Sequence, residues 1–234
     1  LGLIVLLPLA ALVVKASGLG LSGIWEVATD PRVASALRVS FGVSLLAALT
    51  ASIFGGIVAW VLTRYDFPGR KFADAVVDLP FALPTAVAGI ALASLYAPNG
   101  LVGAQLARIG IEAAYTPVGI FIAMVFIGLP FAVRTVQPLI AEIDKEVEEA
   151  SAILGASRIT TLTRVVLPPL IPAVLTGFAL AFARGVGEYG SIIFIAGNLP
   201  YVSEIAPLLI VIKLSEFDYA GASAIAVIML AISF

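Results

Sequence analysis

The sequence offers few side chains for covalent chemistry. Its 234 residues include 13 basic and 15 acidic residues but no histidine and no cysteine. Thiolate nucleophiles and the commonest zinc and haem ligands are therefore missing, and we expect no catalytic residue, no metal site and no cofactor. No Gly-Lys dipeptide occurs, so the phosphate-binding loop of an ATPase is absent from the sequence. If ATP drives this protein, another chain must hydrolyse it.

Two ionisable residues at the end of an apolar run are candidates for a function. Arg184 and Glu188 lie within or just after the run from Val165 to Ala183. A charged side chain at mid-bilayer costs ~2.5 to 3.5 kcal/mol on insertion scales, so it usually faces a protein interior and has a role. Two interpretations stay open: Arg184 lines a pathway, or the two residues neutralise each other on one helical turn.

The elements that must position these residues are membrane-spanning helices. The chain is 61% hydrophobic with a mean hydropathy of +1.13, and its 12% of charged residues falls well below the level of soluble domains. Four of its uncharged runs reach the ~20 residues that a helix needs to cross a bilayer. The uncharged runs are Leu1 to Val14, Val39 to Thr63, Leu79 to Ala107, Ala113 to Val133, Val165 to Ala183 and Tyr219 to Phe234.

The two short runs lie at the ends of the chain, and we interpret both as truncated spans. A secretory signal is the alternative for the first run, but signals carry positive charge before the apolar region, whereas Lys15 follows it. We therefore predict an all-α, polytopic membrane helix bundle of about six transmembrane helices. Residues 1–234 are expected to form a single transmembrane domain that is incomplete at both ends. The net charge of −2 with scattered signs predicts no nucleic-acid partner.

The longest polar connection, Arg134 to Arg164, carries a distinctive pattern. The distribution of Lys and Arg places this connection on the cytoplasmic side. Gly155 is expected to end a helix in the left-handed conformation, and Ser157 to cap the next short helix. Apolar residues recur at spacings of three and four, on one face of the predicted helix: Ile140, Ile143, Val147, Ala150 and Leu154.

Two interpretations of this amphipathic helix compete. A helix lying on the bilayer surface usually favours Lys and Arg opposite anionic lipid. The stretch from Glu142 to Glu149 instead holds five acidic residues and one Lys. An apolar ridge rimmed by carboxylates favours docking into the groove of a partner protein.

The same segment resembles a known family. Glu149-Ala150-Ser151, three residues, Gly155, nine residues and Val165-Val166-Leu167-Pro168 is similar to the EAA loop of ABC importer permeases. Ser151 departs from the second Ala of that pattern, and Val165 from its Ile. The resemblance implies a type I permease fold and a cytoplasmic coupling loop at about 140–167 that docks on an ATPase subunit. Coupling would then involve Val147, Glu149, Ala150, Ser151, Leu154 and Gly155.

The resemblance covers nearly the whole chain. The chain is similar to the CysT-type permeases of sulfate/thiosulfate importers, and more loosely to molybdate permeases, which remain the alternative. Two ATPase subunits, a sister permease and a periplasmic sulfate-binding protein are the partners that it implies, in a bacterial inner membrane. The segments that carry it are Leu62 to Tyr65, Phe67 to Arg70, Asp78 to Gly89, Val133 to Pro138, Phe194 to Asn198 and Glu216 to Tyr219.

In a sulfate importer, Arg184 would attract a doubly charged oxyanion through its planar fork of donors. Pro80 and Pro84 are expected to break the third helix near its cytoplasmic end, which makes Pro84 and Thr85 candidates for a gate or pathway segment, with a plain packing kink as the alternative. Small residues recur at four-residue spacing at Ala179, Ala183, Gly187 and Ser191. Helix packing is the favoured interpretation of this ladder.

Two rival classes find less support. A secondary transporter needs no docking helix and more often carries several ion-coupling carboxylates in its spans, where only Glu188 is available. An intramembrane enzyme needs a catalytic constellation, for which a sequence without His or Cys leaves few options.

Overall fold

The structure, a computed structural model, describes residues 2–233, except for the side chains of Val5 and Lys145. Every regular element in that part of the chain is helical, which confirms the all-α prediction. The helices are α1 (Gly2–Ser17), α2 (Gly20–Thr29), α3 (Pro31–Arg64), α4 (Arg70–Val77), α5 (Leu79–Ala82), α6 (Thr85–Tyr96), α7 (Gly103–Arg108), α8 (Pro117–Glu142), α9 (Lys145–Ile153), α10 (Arg158–Thr161), a π-helical turn (Leu162–Val166), α11 (Leu167–Val186), α12 (Ile192–Ile195), α13 (Ala206–Ser215) and α14 (Tyr219–Ser233).

Each of the six predicted apolar runs contains a helix, but the helices differ in length. Three of those described are long and apolar enough to cross a bilayer: α3, α8 and the continuous helix Arg158–Val186. A fourth span arises when α1 and α2 are counted as one pair, bent by 94°. The helices α6, α13 and α14 are apolar but shorter.

The third run, Leu79 to Ala107, was predicted as one span broken near its cytoplasmic end, and the structure divides it among shorter helices. Helix α5 ends at Ala82, and α6 runs only from Thr85 to Tyr96. Leu83 is extended, with φ −84° and ψ 135°, because the ring of Pro84 excludes the helical conformation from the preceding residue. The predicted break at Pro84 is therefore confirmed. The predicted break at Pro80 is wrong, because Pro80 lies in the first turn of α5, where a missing donor costs nothing.

The residues divide into two compact units, and unit 1 comprises residues 1–44, 85–123 and 186–234. Its helix α14 packs against α1, α2 and α13, and α6 packs against α12. The close approach of α6 to the chain before α12 requires glycine, since a Cβ at Gly89 would lie 2.3 Å from the carbonyl oxygen of Ser191. Its core contains Val33, Ala36, Leu37, Ala206, Leu209 and Ile225.

Unit 2 comprises residues 45–84 and 124–185 and therefore contains the whole connection from Arg134 to Arg164. Small residues bring its long helices together, since a Cβ at Gly55 of α3 would lie 2.7 Å from that of Ala132 in α8. Its core is built from α3, α4, α8, the π-helical turn and α11, through Ala59, Leu62, Val77, Val133, Val136, Ile140, Val166, Leu170 and Ala173.

Candidate functional site

The connection between α8 and α11 folds into a compact projection, residues 145–162, which we call the tip. Helix α9 ends in two hydrogen bonds: Ala156 N donates to Ser151 O at 3.1 Å, and Gly155 N donates to Ala152 O at 3.0 Å. Gly155 has φ +81°, so this is a Schellman ending, which satisfies the last carbonyls of the helix. The predicted role of Gly155 as the end of the helix is confirmed.

Two hydroxyl contacts fix the turn that follows. Ser157 caps α10 as predicted, its Oγ accepting from Thr160 N at 3.2 Å. The hydroxyls of Ser151 and Thr161 lie 2.9 Å apart and join α9 to α10. The serine that departs from the family pattern thus contributes a hydrogen bond within the tip.

Arg64, the last residue of α3, anchors the tip to its unit. Its Nη2 donates to Ile143 O at 2.9 Å, just beyond the end of α8, and forms an ion pair with Glu148 Oε1 at 2.9 Å. A cation is stabilising there because it meets the negative end of the α8 dipole. The guanidinium also lies 5.3 Å from the ring centroid of Trp60.

The outer side of the tip exposes apolar side chains beside carboxylates. Ile153 is 86% exposed and Leu154 is 87% exposed, at the end of α9. Such exposure of large apolar residues indicates a contact surface. Glu146 and Glu149 are also exposed, so the surface is apolar with an acidic border. The remaining exposed residues of this surface are Val147, Ala150 and Ile159.

The single amphipathic helix predicted from Ile140 to Leu154 is wrong. The helix breaks between Glu142 and Lys145, where Asp144 is extended, with φ −62° and ψ 132°. Ile140 is fully buried in the core of unit 2, and Ile143 packs against that core. Only the later part of the predicted ridge faces outward.

Sequence reasoning missed three residues of the tip and Arg64, which anchors it. No local sequence pattern marked Arg64 or Thr161, because their partners are distant in sequence or lie on another short helix. Ile153 and Ile159 lay off the predicted ridge, since that ridge assumed one continuous helix. Two isoleucines in a segment with mostly polar neighbours could have signalled exposed apolar surface.

A second ionic cluster of unit 2 joins α4 and α5 to α8. Arg134 binds Asp78 through two bonds, Nε to Oδ1 at 2.8 Å and Nη2 to Oδ2 at 2.7 Å. Its Nη1 donates to Asp74 Oδ1 at 2.7 Å. This hydrogen bond holds the pKa of Asp74 below its usual value. Arg134 thus fixes the segment that leads to the break at Pro84.

Three of the pathway candidates come together in unit 1. Glu188 is 2% exposed, and its Oε1 accepts from Ser191 N at 2.8 Å and from Ser191 Oγ at 2.9 Å. Thr85 lies against the same turn, because a Cβ at Gly190 would meet Thr85 Oγ1 at 2.3 Å. One oxygen of the buried carboxylate is therefore engaged by the chain that follows it, which stabilises this turn.

The remaining candidates, Arg184 and Pro84, belong to unit 2. Arg184 lies in the last turn of α11 and is half-buried, whereas Pro84 is exposed. The helix ends at Val186, so Glu188 lies beyond the helix that carries Arg184, and the small-residue ladder to Ser191 is interrupted at the same point.

Comparison with known proteins connects these features to a family. The family model described as "Binding-protein-dependent transport system inner membrane component" matches residues 51–234. The "Sulfate transport system permease protein CysT" of Synechocystis sp. is 51% identical over 99% of this chain and 81% of that protein. The protein of the same name in Salmonella typhimurium is 52% identical over 99% of this chain and 83% of its own length.

The fold also matches solved structures. A chain from the crystal structure of a bacterial ABC transporter involved in the import of alginate superposes with a TM-score of 0.79 at 17% identity, covering 99% of this chain and 86% of that chain. A second alginate ABC transporter, in complex with a pentasaccharide-bound periplasmic protein, gives a TM-score of 0.76 at 18% identity, covering 98% and 84%. The predicted permease fold is thereby confirmed. By sequence and by fold, this chain belongs to the family of binding-protein-dependent transport system inner membrane components.

Proposed function

We propose that this chain is the transmembrane subunit of an ATP-binding-cassette importer that carries sulfate or thiosulfate across a bacterial inner membrane. The observation that carries the proposal is the identity of about half over 99% of the chain with relatives named as sulfate transport permeases. A periplasmic binding protein would deliver the anion, and two separate ATPase subunits would drive a pair of permeases. This chain would hydrolyse no ATP itself.

The alternatives are less well supported. Molybdate import is not favoured, because the relatives reported above are named for sulfate. A secondary transporter is disfavoured by the family, whose members depend on binding proteins.

The tip is the proposed contact with the ATPase. Leu154, Val147 and Ala150 would enter an apolar groove, and Glu149 would meet basic residues at its rim. Gly155 and Ser151 would hold the tip in the shape that fits. The support lies in the combination of outward apolar residues with a fixed base, since Arg64 ties α9 to the unit and the contact between Ser151 and Thr161 joins α9 to α10. A stiff connection is what transmits motion from a motor to a gate.

The proposed pathway involves Arg184, Glu188, Ser191, Thr85 and Pro84. The Arg184 guanidinium would attract the anion, while the turn of Glu188 and Ser191 would position the neighbouring backbone. Thr85 contacts that turn directly after the break at Pro84, and a discontinuous helix is common beside transport pathways. A structural pairing of Arg184 stays the alternative interpretation.

Uptake in a strain that lacks its own sulfate permeases tests the function. The complete importer genes should restore uptake of radioactive sulfate, and excess thiosulfate should compete whereas molybdate should not. Restored uptake of molybdate without sulfate would contradict the substrate. Arg184→Gln should lower sulfate uptake at equal membrane levels of the protein, and unimpaired uptake would remove Arg184 from the pathway.

A further inference from the structure

Two cavities of unit 2, each of about 370 Å³, share part of one wall, formed by Trp60, Leu162 and Val166. One cavity lies among α3, α8 and α11 and is almost wholly apolar, and we call it the trough. The other lies between the end of α3 and the tip and has charged residues in its lining, and we call it the head pocket. An apolar cavity beside one with charged residues in its lining has the form of a site for an amphiphile.

The trough is open toward the surroundings of the helices. Ile53 and Ile57 of α3 line it and are 63% and 55% exposed, in a segment long and apolar enough to span a bilayer. Ser52, also in its lining, is satisfied internally, since its Oγ donates to Ala48 O at 2.8 Å. Hydrocarbon is the medium that suits such a surface.

The lining of the head pocket contains one arginine and one glutamate. Arg158, Glu148 and the phenol of Tyr65 line it. Glu148 forms its ion pair with Arg64, which lies outside the lining, at 2.9 Å, so Arg158 supplies the remaining positive charge of the pocket. Thr161, also in the lining, shares its hydroxyl with Ser151. Basic pockets at the cytoplasmic ends of membrane helices suit anionic lipid headgroups.

We propose that this site binds one anionic phospholipid, with an acyl chain in the trough and the phosphodiester beside Arg158. Trp60 borders both cavities and Tyr65 borders the head pocket, which puts amphipathic aromatic rings where the lipid changes from apolar to polar. A helix of another permease would match the trough but not the pocket with charged lining that adjoins it. The bound lipid would lie against the base of the tip, so its occupancy would affect how firmly the tip is held.

Two variants remove the two halves of the site. Gly56 lines the trough, and a Cβ added there meets nothing within 4 Å, so Gly56→Leu fills the trough without a backbone clash. Gly42→Leu is the matched control, because Gly42 lies on the same helix with equally open space but in unit 1. Arg158→Gln removes the charge of the head pocket, and Arg164→Gln changes an exposed arginine of the same segment as its control.

The test is native mass spectrometry of the complete importer, purified and incubated with phosphatidylglycerol or phosphatidylcholine. The wild-type protein should retain one phosphatidylglycerol per permease and little phosphatidylcholine. Gly56→Leu and Arg158→Gln should each lower that retention by about fivefold or more, whereas Gly42→Leu and Arg164→Gln should not. Equal retention by Gly56→Leu and Gly42→Leu would overturn the site. Loss of a permease subunit from the Gly56→Leu complex with lipid still bound would also overturn it, because a protein helix would then fill the trough. Neither result bears on the transported substrate, which the uptake assay tests separately.

Discussion

Glutamates occupy opposite surroundings in two regions of this protein. Before α13, Glu204 is 2% exposed and accepts from Arg32 Nε at 2.8 Å and Nη2 at 2.7 Å. In the tip, Glu149 is exposed beside exposed apolar residues. The first region satisfies its charge within the chain, so it contributes to folding. The second turns charge and apolar surface outward, which folding alone does not require, so it is available to a partner.

The same contrast extends to the backbone of each region. Near Glu204, Ala206 N donates to the buried hydroxyl of Ser40 at 2.9 Å, so the start of α13 is fixed to α3. In the tip, the hydrogen bonds shape a turn that projects from its unit. Changes in the Glu204 region should therefore lower stability, and changes on the surface of the tip should lower association without lowering stability.

The largest expected effect is that of Arg32→Ala. It leaves the Glu204 carboxylate buried without its cation, which typically costs 3 to 5 kcal/mol; we expect roughly 3, because the Arg32 side chain is 38% exposed. The unfolding midpoint of the purified protein in an SDS titration would measure the loss. Arg38→Ala, at an exposed arginine of the same helix, is the control, and equal midpoints for the two variants would break the comparison.

The double variant Ile153→Ser with Leu154→Ser probes the opposite region. Both side chains are more than four-fifths exposed, so the free energy of unfolding should stay within about 0.5 kcal/mol of the wild-type value. Loss of two apolar interface anchors should weaken ATPase association by about tenfold or more. Co-purification of the ATPase with the permease measures this. Leu101→Ser, at a leucine that is 84% exposed in unit 1, should leave ATPase recovery unchanged.

Gly155→Ala separates the shape of the tip from its surface. A Cβ at Gly155 meets nothing within 4 Å, so the effect comes from the left-handed backbone alone, at about 1 to 2 kcal/mol. Sulfate uptake should fall by about fivefold or more. Gly69→Ala carries the same strain, at φ +89°, in the connection before α4, and should reduce uptake less. Equal uptake by the two variants would show that the shape of the tip is unimportant.

The bond between Ser151 and Thr161 should contribute a smaller amount. A double-mutant cycle of Ser151→Ala and Thr161→Ala should give a coupling energy of about 0.5 to 1.5 kcal/mol. Hydrogen exchange of the amides in α9 and α10 measures it, because these helices can open without the rest of the unit. Additive effects of the two substitutions would mean that the hydroxyl contact contributes nothing.

Asp74 offers an intermediate case with the smallest effect, since its side chain is 42% exposed yet bound to Arg134. Its pKa is lowered in the folded state, so the bond contributes stability above the unfolded pKa near 4 and loses it as the pH falls through the folded pKa. The unfolding midpoint of wild type should therefore decline more steeply below about pH 4 than that of Asp74→Asn. Parallel declines would contradict this contribution.

Part of the candidate site was predictable because it depends on local sequence. Gly155, Ser157 and the residue before Pro84 behave as their types require, since turn and cap geometry is decided within a few residues. The periodic ridge failed at Asp144, because a regular spacing of apolar residues cannot report a helix break that a distant Arg64 helps to stabilise. The exposure of Ile153 and Ile159 was missed for the same reason.

The sequence by itself determined that the protein lies in a membrane, that it is helical and to which family it belongs. Long uncharged runs permit little but helices in hydrocarbon, where every backbone polar group needs an internal partner, and the motif from Glu149 to Pro168 fixes the position of the tip along the chain. Only the tertiary structure decided which carboxylates are satisfied internally and which face outward. Glu204 and Glu149 are the same residue type, and the difference between them is the presence of Arg32 in one place and its absence in the other, a contact between residues 172 positions apart that no local pattern records.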